Sequence, residues 1–529
     1  MNKYLLILAM VVCLTANTKT GVQSCREFQI KRHNINQVEM CISNFGKFGK
    51  GETGAAGMWW PKYTNQSYIW GAGIWFGTID SLTGDTLVTI GYDRSVGQSE
   101  FVPGLNNMPI NHPNAIIYMY PVNWPAPQDT FPMAPQDTVS HQDSWCCFND
   151  CDSNYHMPGD TRPIGIEVYQ TVYAWHIIEV GDMIFLIYDI KNVSGNNLHN
   201  CYLGVATDCD IGNESDYGND ICTCIIERTY VINGDTIIID DVAYQWQDEE
   251  EIGWDCFPGV IGIDLLQTPF DLEWGADKDN DGIPDQYERD SSYYWNNVPP
   301  EQWDVDNDGI PDWRDASENP QLGMTAYRRF TLDIEPHTDP ERYLTLAGYN
   351  IQTGQYEPYD TIIPDPDDQS YLMSSGPFDL EPDEVVRMLV GVMCASREDA
   401  DDPPDTALVP VNKWAQLYYD MYWFLSPGID EHQSTKLLPV NLEIRPNPFS
   451  YKTDIRWQVP DNSNATMEIY GVTGRLVKQF ILPNAYSLVP TCISWDGRDD
   501  QNNKLPSGVY FLKFTAGDYS TTEKLLLIR

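Results

Sequence analysis

The sequence predicts an all-β, multi-domain protein made mainly of β-sandwiches, with one or a few helices. The chain has 529 residues, which is too long for one ordinary hydrophobic core. Hydrophobic residues make up 42%, and the 31 tyrosines and 17 tryptophans favour strands over helices. Short apolar runs alternate with clusters of turn residues, the pattern typical of sandwiches.

The predicted strands share β-branched and aromatic residues. They cover residues 67–79, 86–91, 164–180, 183–193, 202–206, 229–239, 325–334, 342–349 and 385–395. Asn233-Gly234, inside the run 229–239, is a favoured hairpin turn. A single helix is predicted where apolar residues recur at helical spacing after Asn412, a candidate N-cap. Its core-facing residues are Trp414, Leu417, Tyr418, Met421 and Leu425.

Charge divides the chain into segments. The net charge is −45, but residues 440–529 hold 9 acidic and 10 basic residues, so a boundary falls near residue 440. Lys3, the apolar stretch 4–14 and the small residues near Ala16 predict a signal peptide. We therefore expect a signal peptide (1–24), a β-rich body with a cysteine-containing insertion (25–270), an acidic segment (271–320), a second β-rich part with the helix (321–438) and a C-terminal domain (439–529).

The same charge restricts the partners. A surface this acidic repels phosphate backbones and anionic lipids, which excludes nucleic acid as a natural ligand. After the leader, no run approaches 18 apolar residues, so no transmembrane segment is expected. Export to the outside of the cell also fits the 13 cysteines, of which 12 follow the first apolar stretch. The clusters 146–151 and 201–224 indicate disulfides rather than a metal site, and their pairing stays open.

Two aspartate-rich loops carry the strongest chemical signal. Both have carboxylates at loop positions 1, 3, 5, 9 and 12, glycine at position 6, and a backbone carbonyl available at position 7. This is the all-oxygen spacing that wraps one Ca²⁺ with about seven ligands, a cage that Mg²⁺ disfavours. The predicted ligands are Asp277, Asp279, Asp281, Ile283, Asp285 and Glu288 in the first loop, and Asp304, Asp306, Asp308, Ile310, Asp312 and Asp315 in the second.

Electrostatics supports calcium over a plain acidic linker. Residues 271–320 contain 15 acidic and 3 basic residues, and such a segment repels itself unless cations neutralise it. The two loops, with their common Gly-Ile-Pro-Asp centre, resemble thrombospondin type 3 repeats. That resemblance implies a structural role, as a calcium-stiffened insertion or connector.

A weaker acidic cluster lies in the stretch 206–220. Asp208, Asp210, Asp216 and Asp220 could bind a third cation, or could belong to a polar turn held by Cys209 and Cys222. The sequence leaves both interpretations open.

The C-terminal segment shows about seven short strands separated by turn residues, which suits an Ig-like sandwich. Its distinctive motifs are 445–449 (RPNPF), 469–477 (IYGVTGRLV), 495–499 (WDGRD), 506–510 (PSGVY) and 524–528 (KLLLI). These motifs resemble the FlgD/Vpr Ig-like domain and the type A sorting domain of the type IX secretion system. The resemblance implies export, followed by release or attachment at the cell surface, with the secretion machinery or a surface component as partner.

Catalytic signatures are not found in the sequence. It has no HExxH and no GxSxG, and among 77 acidic residues no catalytic pair stands out. Trp59, Trp60, Trp70 and Trp75 are candidates for stacking on sugars or for core packing. We therefore expect, first, a non-enzymatic, calcium-stabilised structural or binding protein with a glycan or protein ligand. The alternatives are a secreted hydrolase of polysaccharide or protein, and a carbohydrate-binding accessory protein.

Overall fold

The computed structural model describes residues 27–527 with internal gaps. The gaps are 53, 95–97, 110, 158–159, 214–216, 233, 273–274, 279–280, 289–290, 304–311, 313–318, 332, 423–440, 446–448, 450–451, 459–464, 472–474, 481–490, 500–502, 507 and 517–518. The predicted signal peptide and the predicted boundary at 438/439 lie outside the described residues. The chain divides into two compact units, one of residues 1–288 and 316–427 and one of residues 289–315 and 428–529.

The first unit is built almost entirely from strands. They are β1 (Ile30–His33), β2 (Glu39–Ser43), β3 (Lys47–Phe48), β4 (Met58–Trp59), β5 (Ser67–Ile69), β6 (Gly71–Ile79), β7 (Thr86–Ile90), β8 (Val102–Pro103), β9 (Tyr118–Met119), β10 (Gln142–Asn149), β11 (Ile166–Ala174), β12 (Met183–Asn192), β13 (Leu198–Asp208), β14 (Ile221–Ile232), β15 (Asp235–Trp246), β16 (Val260–Gln267), β17 (Ala326–Phe330), β18 (Tyr349–Asn350), β19 (Gln355–Tyr356), β20 (Ser370–Leu380) and β21 (Val385–Ala395).

Two large antiparallel sheets form the sandwich. Ten strands make the first sheet, in the order β17-β20-β13-β6-β3-β2-β4-β5, with β1 beside β2 and β7 beside β6. Nine strands make the second, in the order β14-β15-β16-β21-β12-β11-β10-β8, with β9 beside β10. One hydrophobic core joins residues of both sheets, for example Ile74 and Val205 with Leu186 and Val390. The predicted all-β sandwich class is confirmed.

Three α-helices are seen in the described residues: α1 (Ser291–Asn297), α2 (Asp339–Leu346) and α3 (Pro404–Tyr422). Short 3-10 helices cover Asp285–Tyr287 and Pro300–Gln302. None of the helices in the described part of the chain is long and apolar enough to cross a membrane.

The strand predicted at 342–349 is wrong, because most of it belongs to helix α2. The Glu341 carboxylate accepts hydrogen bonds from the backbone N–H groups of His337 (2.9 Å) and Thr338 (3.2 Å), which closes the N-terminus of the helix. Tyr343 and Leu346 on α2 pack with Trp75 against the outer face of the ten-stranded sheet. Local capping and this docking outweigh the β-like composition.

The predicted helix exists as α3 but begins eight residues before its predicted cap, at Pro404. Asn412 lies inside the helix and donates a hydrogen bond to the buried Asp264 carboxylate (2.6 Å), so it is not the N-cap. Trp414 and Leu417 are exposed, whereas Tyr418 is buried and packs on Trp175. The buried stripe is therefore rotated from the predicted one.

The cysteine-containing insertion includes strand β10. Cys146 and Cys147 are neighbours on that strand, so their side chains point to opposite faces, one into the main core and one into a separate cluster with Trp145. The ten cysteines whose side chains the structure describes are all free thiols. The predicted disulfides are therefore not seen in this part of the chain, because strand geometry separates residues that are adjacent in sequence.

The C-terminal part of the second unit consists of two small sheets. Strands β22 (Asn441–Arg445), β23 (Thr453–Gln458) and β26 (Thr491–Trp495) form one, and β24 (Ala465–Gly471), β25 (Leu476–Phe480), β27 (Gly508–Ala516) and β28 (Tyr519–Leu527) form the other. Ile455 from the first sheet and Met467, Leu512 and Leu525 from the second share one core. Trp495 lies in that core between the rings of Phe449 and Tyr510.

Candidate metal sites

The first aspartate loop makes the turn that its sequence predicts. Gly282 has φ of +96°, a left-handed conformation that a residue with a side chain rarely adopts. Asp281 Oδ1 accepts a hydrogen bond from the Ile283 N–H (2.7 Å), which tightens the turn at that point. Asp285 Oδ1 accepts one from the Lys278 N–H (2.9 Å), so a predicted ligand at position 9 also ties down the start of the loop.

The two loops close in the same way. The N–H of Asp285 bonds to the carbonyl of Ala276 (3.0 Å), and the N–H of Asp312 bonds to the carbonyl of Trp303 (2.8 Å). In each loop this joins position 9 to the residue before position 1. Both aspartates are buried, with exposed fractions of 0% and 5%. The hydrogen bond that closes the first loop is thus repeated between the described ends of the second.

The predicted ligands differ in burial, and about half of them lie outside the described residues. Asp285 and Glu288 are buried, Asp277 and Asp281 are exposed, and Ile283 is buried with its carbonyl at position 7. Asp312 is the described ligand position of the second loop. Those outside the described residues are Asp279, Asp304, Asp306, Asp308, Ile310 and Asp315. The described carboxylates of the first loop are not within 4.8 Å of one another as a set, so calcium would have to draw the exposed ones inward.

A third group of carboxylates converges in the β-sandwich unit. Among the described residues, oxygens of Asp208, Asp210 and Asp368 lie within 4.8 Å of one another. Of the four aspartates that the sequence suggests for this cluster, two are present. Asp216 lies outside the described residues. Asp220 is buried nearby and accepts a hydrogen bond from the Ile211 N–H (3.2 Å).

Sheet pairing brings this acidic cluster together. Asp208 is the last residue of β13, and Asp368 precedes β20, the antiparallel neighbour of β13. The carbonyl of Asp220 accepts the N–H of Asp367 (3.1 Å), which holds the 209–220 loop against the start of β20. Asp368 could not be found from the sequence, because strand pairing across about 160 residues leaves no local signal.

Tyr92 and Arg94, in the segment after β7, contact the acidic cluster. Arg94 Nε lies 3.5 Å from Asp208 Oδ1, and the same guanidinium forms an ion pair with Asp368. The Tyr92 hydroxyl donates to Asp208 Oδ2 (2.7 Å). The Tyr92 ring crosses Gly71, where a Cβ would meet a ring carbon at 2.4 Å. A glycine in β6 is therefore what admits the tyrosine to the cluster.

Burial perturbs the acids strongly. Burial, followed by the charges of Asp208 and Asp368, raises the pKa of Asp210 to about 8. Burial and the neighbouring Asp93 raise the pKa of Glu335 to about 7. Burial also lowers the pKa of Lys50, which lies beside Asp208 and Asp210, to about 8. The cavity between Asp208, Glu335, Arg94 and Tyr92 measures about 10 Å³, room for roughly one water molecule and not for a sugar ring.

The four tryptophans considered for sugar stacking differ in burial. Trp60 and Trp75 are buried core residues. Trp59 and Trp70 are half-buried, and each has a cation over its ring, Arg32 at 4.8 Å and Lys50 at 4.2 Å. These four side chains do not form a row of exposed rings.

Comparison with known proteins assigns the C-terminal part of the chain. Residues 443–528 match the family described as the secretion system C-terminal sorting domain. The chain therefore carries a sorting domain, and its destination is the extracellular space or the cell surface. The sequence-based resemblance of this region to the type IX sorting domain is confirmed, whereas its Ig-like classification remains a prediction.

The rest of the chain gains little from comparison. No protein with curated annotation matches it in sequence. A polysaccharide lyase structure aligns with 95% of this chain and 46% of its own, at 8% identity and a TM-score of 0.22. The dimeric latent PorU of Porphyromonas gingivalis aligns over 74% of this chain and 32% of its own, at 12% identity and a TM-score of 0.16. The chain spans less than half the length of either, and TM-scores this low carry no argument.

Proposed function

We propose that this is an exported structural or binding protein whose mid-chain loops each bind Ca²⁺ and whose C-terminal domain directs it through the type IX secretion system to the cell surface. One observation carries the calcium assignment. In both loops the N–H of the aspartate at position 9 bonds to the carbonyl of the residue before position 1, and that aspartate is buried. Two independent copies of one backbone device at matching carboxylate spacing favour a shared ligand.

The fit to calcium follows from the donor set. Each loop offers carboxylates and one carbonyl, and hard oxygen donors in that number suit Ca²⁺. Asp277 and Asp281 are exposed in the first loop, while Asp285 and Glu288 are already buried. Two of the four described carboxylates of the first loop are therefore already enclosed, and the ion would recruit the exposed ones and neutralise the segment. Its role is to stiffen the chain, with no catalytic step attached.

Thermal denaturation tests this assignment. At a calcium concentration 100-fold above Kd, each loop gains about 2.7 kcal/mol, which corresponds to a melting temperature higher by roughly 5–10 °C. Asp281→Ala combined with Asp308→Ala should abolish the rise that calcium causes in the wild type. The matched control is Asp85→Ala combined with Asp129→Ala, which removes the same charge from exposed positions and should keep the rise. An undiminished calcium response in the loop variant refutes the assignment.

A further inference from the structure

The acidic cluster of the β-sandwich unit holds more negative charge than its cationic neighbours can balance. Asp208, Asp210, Asp368 and Glu335 are four carboxylates, and Arg94 and Lys50 are the cations beside them. If all are ionised, two negative charges remain. Asp208 and Glu335 are 3% and 7% exposed, so this excess lies largely out of water, where it is costly. Either protons or a divalent cation must relieve it.

Two buried oxygens support a cation. Asp208 Oδ1 and Glu335 Oε2 each lack a hydrogen-bond partner among the described residues, although Arg94 Nε lies 3.5 Å from Asp208 Oδ1. Glu335 is not one of the three clustered aspartates, yet it lines the same small cavity as Asp208. Buried polar atoms normally find a donor. Arg94 leaves both of these carboxylate oxygens at the shared cavity without a hydrogen bond, which indicates a further positive ligand.

The donor set of the cluster suits Ca²⁺. Three carboxylates each offer an oxygen within 4.8 Å of the others, so small side-chain adjustments let all three bind one ion. Ca²⁺ accepts such all-oxygen ligands in flexible geometry, whereas Mg²⁺ demands a near-ideal octahedron and dehydrates reluctantly. Asp210 and Asp368 are half-buried rather than fully enclosed, which leaves the ion a path from solvent.

The fold holds these groups in place from several directions. Tyr92 fixes one oxygen of Asp208, and Arg94 lies against both Asp208 and Asp368. Arg94 also donates to Ser370 Oγ (3.2 Å), which anchors it at the start of β20. Asp208 is therefore held in one orientation, with Oδ2 on the Tyr92 hydroxyl and Oδ1 on the side of Arg94.

We infer that Asp208, Asp210 and Asp368 form a third divalent-cation site, whose oxygen ligands suit Ca²⁺ and whose residues lie outside the two aspartate loops. Glu335 contributes negative charge from the small cavity that it lines together with Asp208, and Arg94 positions Asp208 and Asp368. The ion ties the end of β13 to the start of β20, and so stabilises the sandwich itself.

Calorimetric titration with Ca²⁺ alone tests the site, using a full-length background that carries Asp281→Ala and Asp308→Ala. That background should bind one Ca²⁺ per chain. Adding Asp210→Asn, which keeps the shape and removes one charge, should weaken binding at least tenfold. Adding Asp85→Asn, at an exposed position, should leave it unchanged. Near-UV circular dichroism checks folding, and Asp368→Asn replaces Asp210→Asn if the latter does not fold.

The outcomes separate this site from the loops. No calcium binding in the background, or binding unchanged by both Asp210→Asn and Asp368→Asn, overturns the third site. If the wild type and the background bind the same single ion, and Asp210→Asn removes it, the third site stands while the loop assignment fails.

Discussion

Asp241 gives a sharp test of how the sandwich tolerates its acidic interior. Asp241 lies in the middle of β15 with φ of +53°. Burial, with a smaller contribution from the charge of Asp240, raises its pKa from the ordinary value of 3.8 to about 7. Because the folded state holds the proton more tightly than the unfolded state, stability is greatest at low pH and declines as pH rises from about 4 to about 7. Three pKa units correspond to about 4 kcal/mol, and partial exposure reduces this to about 2–4 kcal/mol.

Asp241→Asn should remove this loss. Asparagine accepts the left-handed backbone readily, so the variant keeps the local fold. Urea denaturation followed by tryptophan fluorescence, at constant calcium, should show equal stability at pH 4 and a variant more stable by about 2–4 kcal/mol at pH 8. The exposed Asp85→Asn should track the wild type throughout. A difference between Asp241→Asn and wild type that is the same at both pH values would refute the reasoning.

Two further variants probe the loops and the sorting domain. Gly282→Ala places a side chain at φ of +96°, which costs about 1–2 kcal/mol. Calcium titration should therefore show about tenfold weaker binding at one loop. The control Gly84→Ala, at φ of +77° outside the loops, should leave the calcium affinity intact. Trp495→Ala empties a core position that is 1% exposed, which costs about 3–5 kcal/mol, and cell fractionation should find the protein retained inside the cell. Phe511→Ala, at a position 38% exposed, should be exported normally; equal export of both variants would contradict a requirement for the folded domain.

The sequence predicted what depends on local pattern. Runs of aromatic and β-branched residues predicted β6, β12 and β21, and separated motifs predicted the C-terminal sorting domain that the family match confirms. Helix α2 was open to prediction too, since Thr338 and Glu341 have capping-box spacing, but the aromatic and apolar residues that follow favoured a strand.

The features that the sequence did not predict depend on contacts between residues far apart in the chain. The acidic cluster depends on β13 lying beside β20, and on Gly71 leaving room for Tyr92, and neither can be read from the stretch 206–220 alone. Asn412 resembled a cap because the sequence gives no sign that its amide meets Asp264, about 150 residues earlier. Cys146 and Cys147 resembled a disulfide cluster because sequence proximity conceals the alternation of a strand.

Cleavage at Lys278 by a lysine-specific protease tests most directly whether calcium organises the mid-chain loops. Lys278 is exposed and lies at position 2 of the first loop. In saturating Ca²⁺ the wild type should resist cleavage there, and the Asp281→Ala/Asp308→Ala variant in the same buffer should be cut at the rate of chelator-treated wild type. Equal cleavage of wild type with calcium and with chelator would contradict the account.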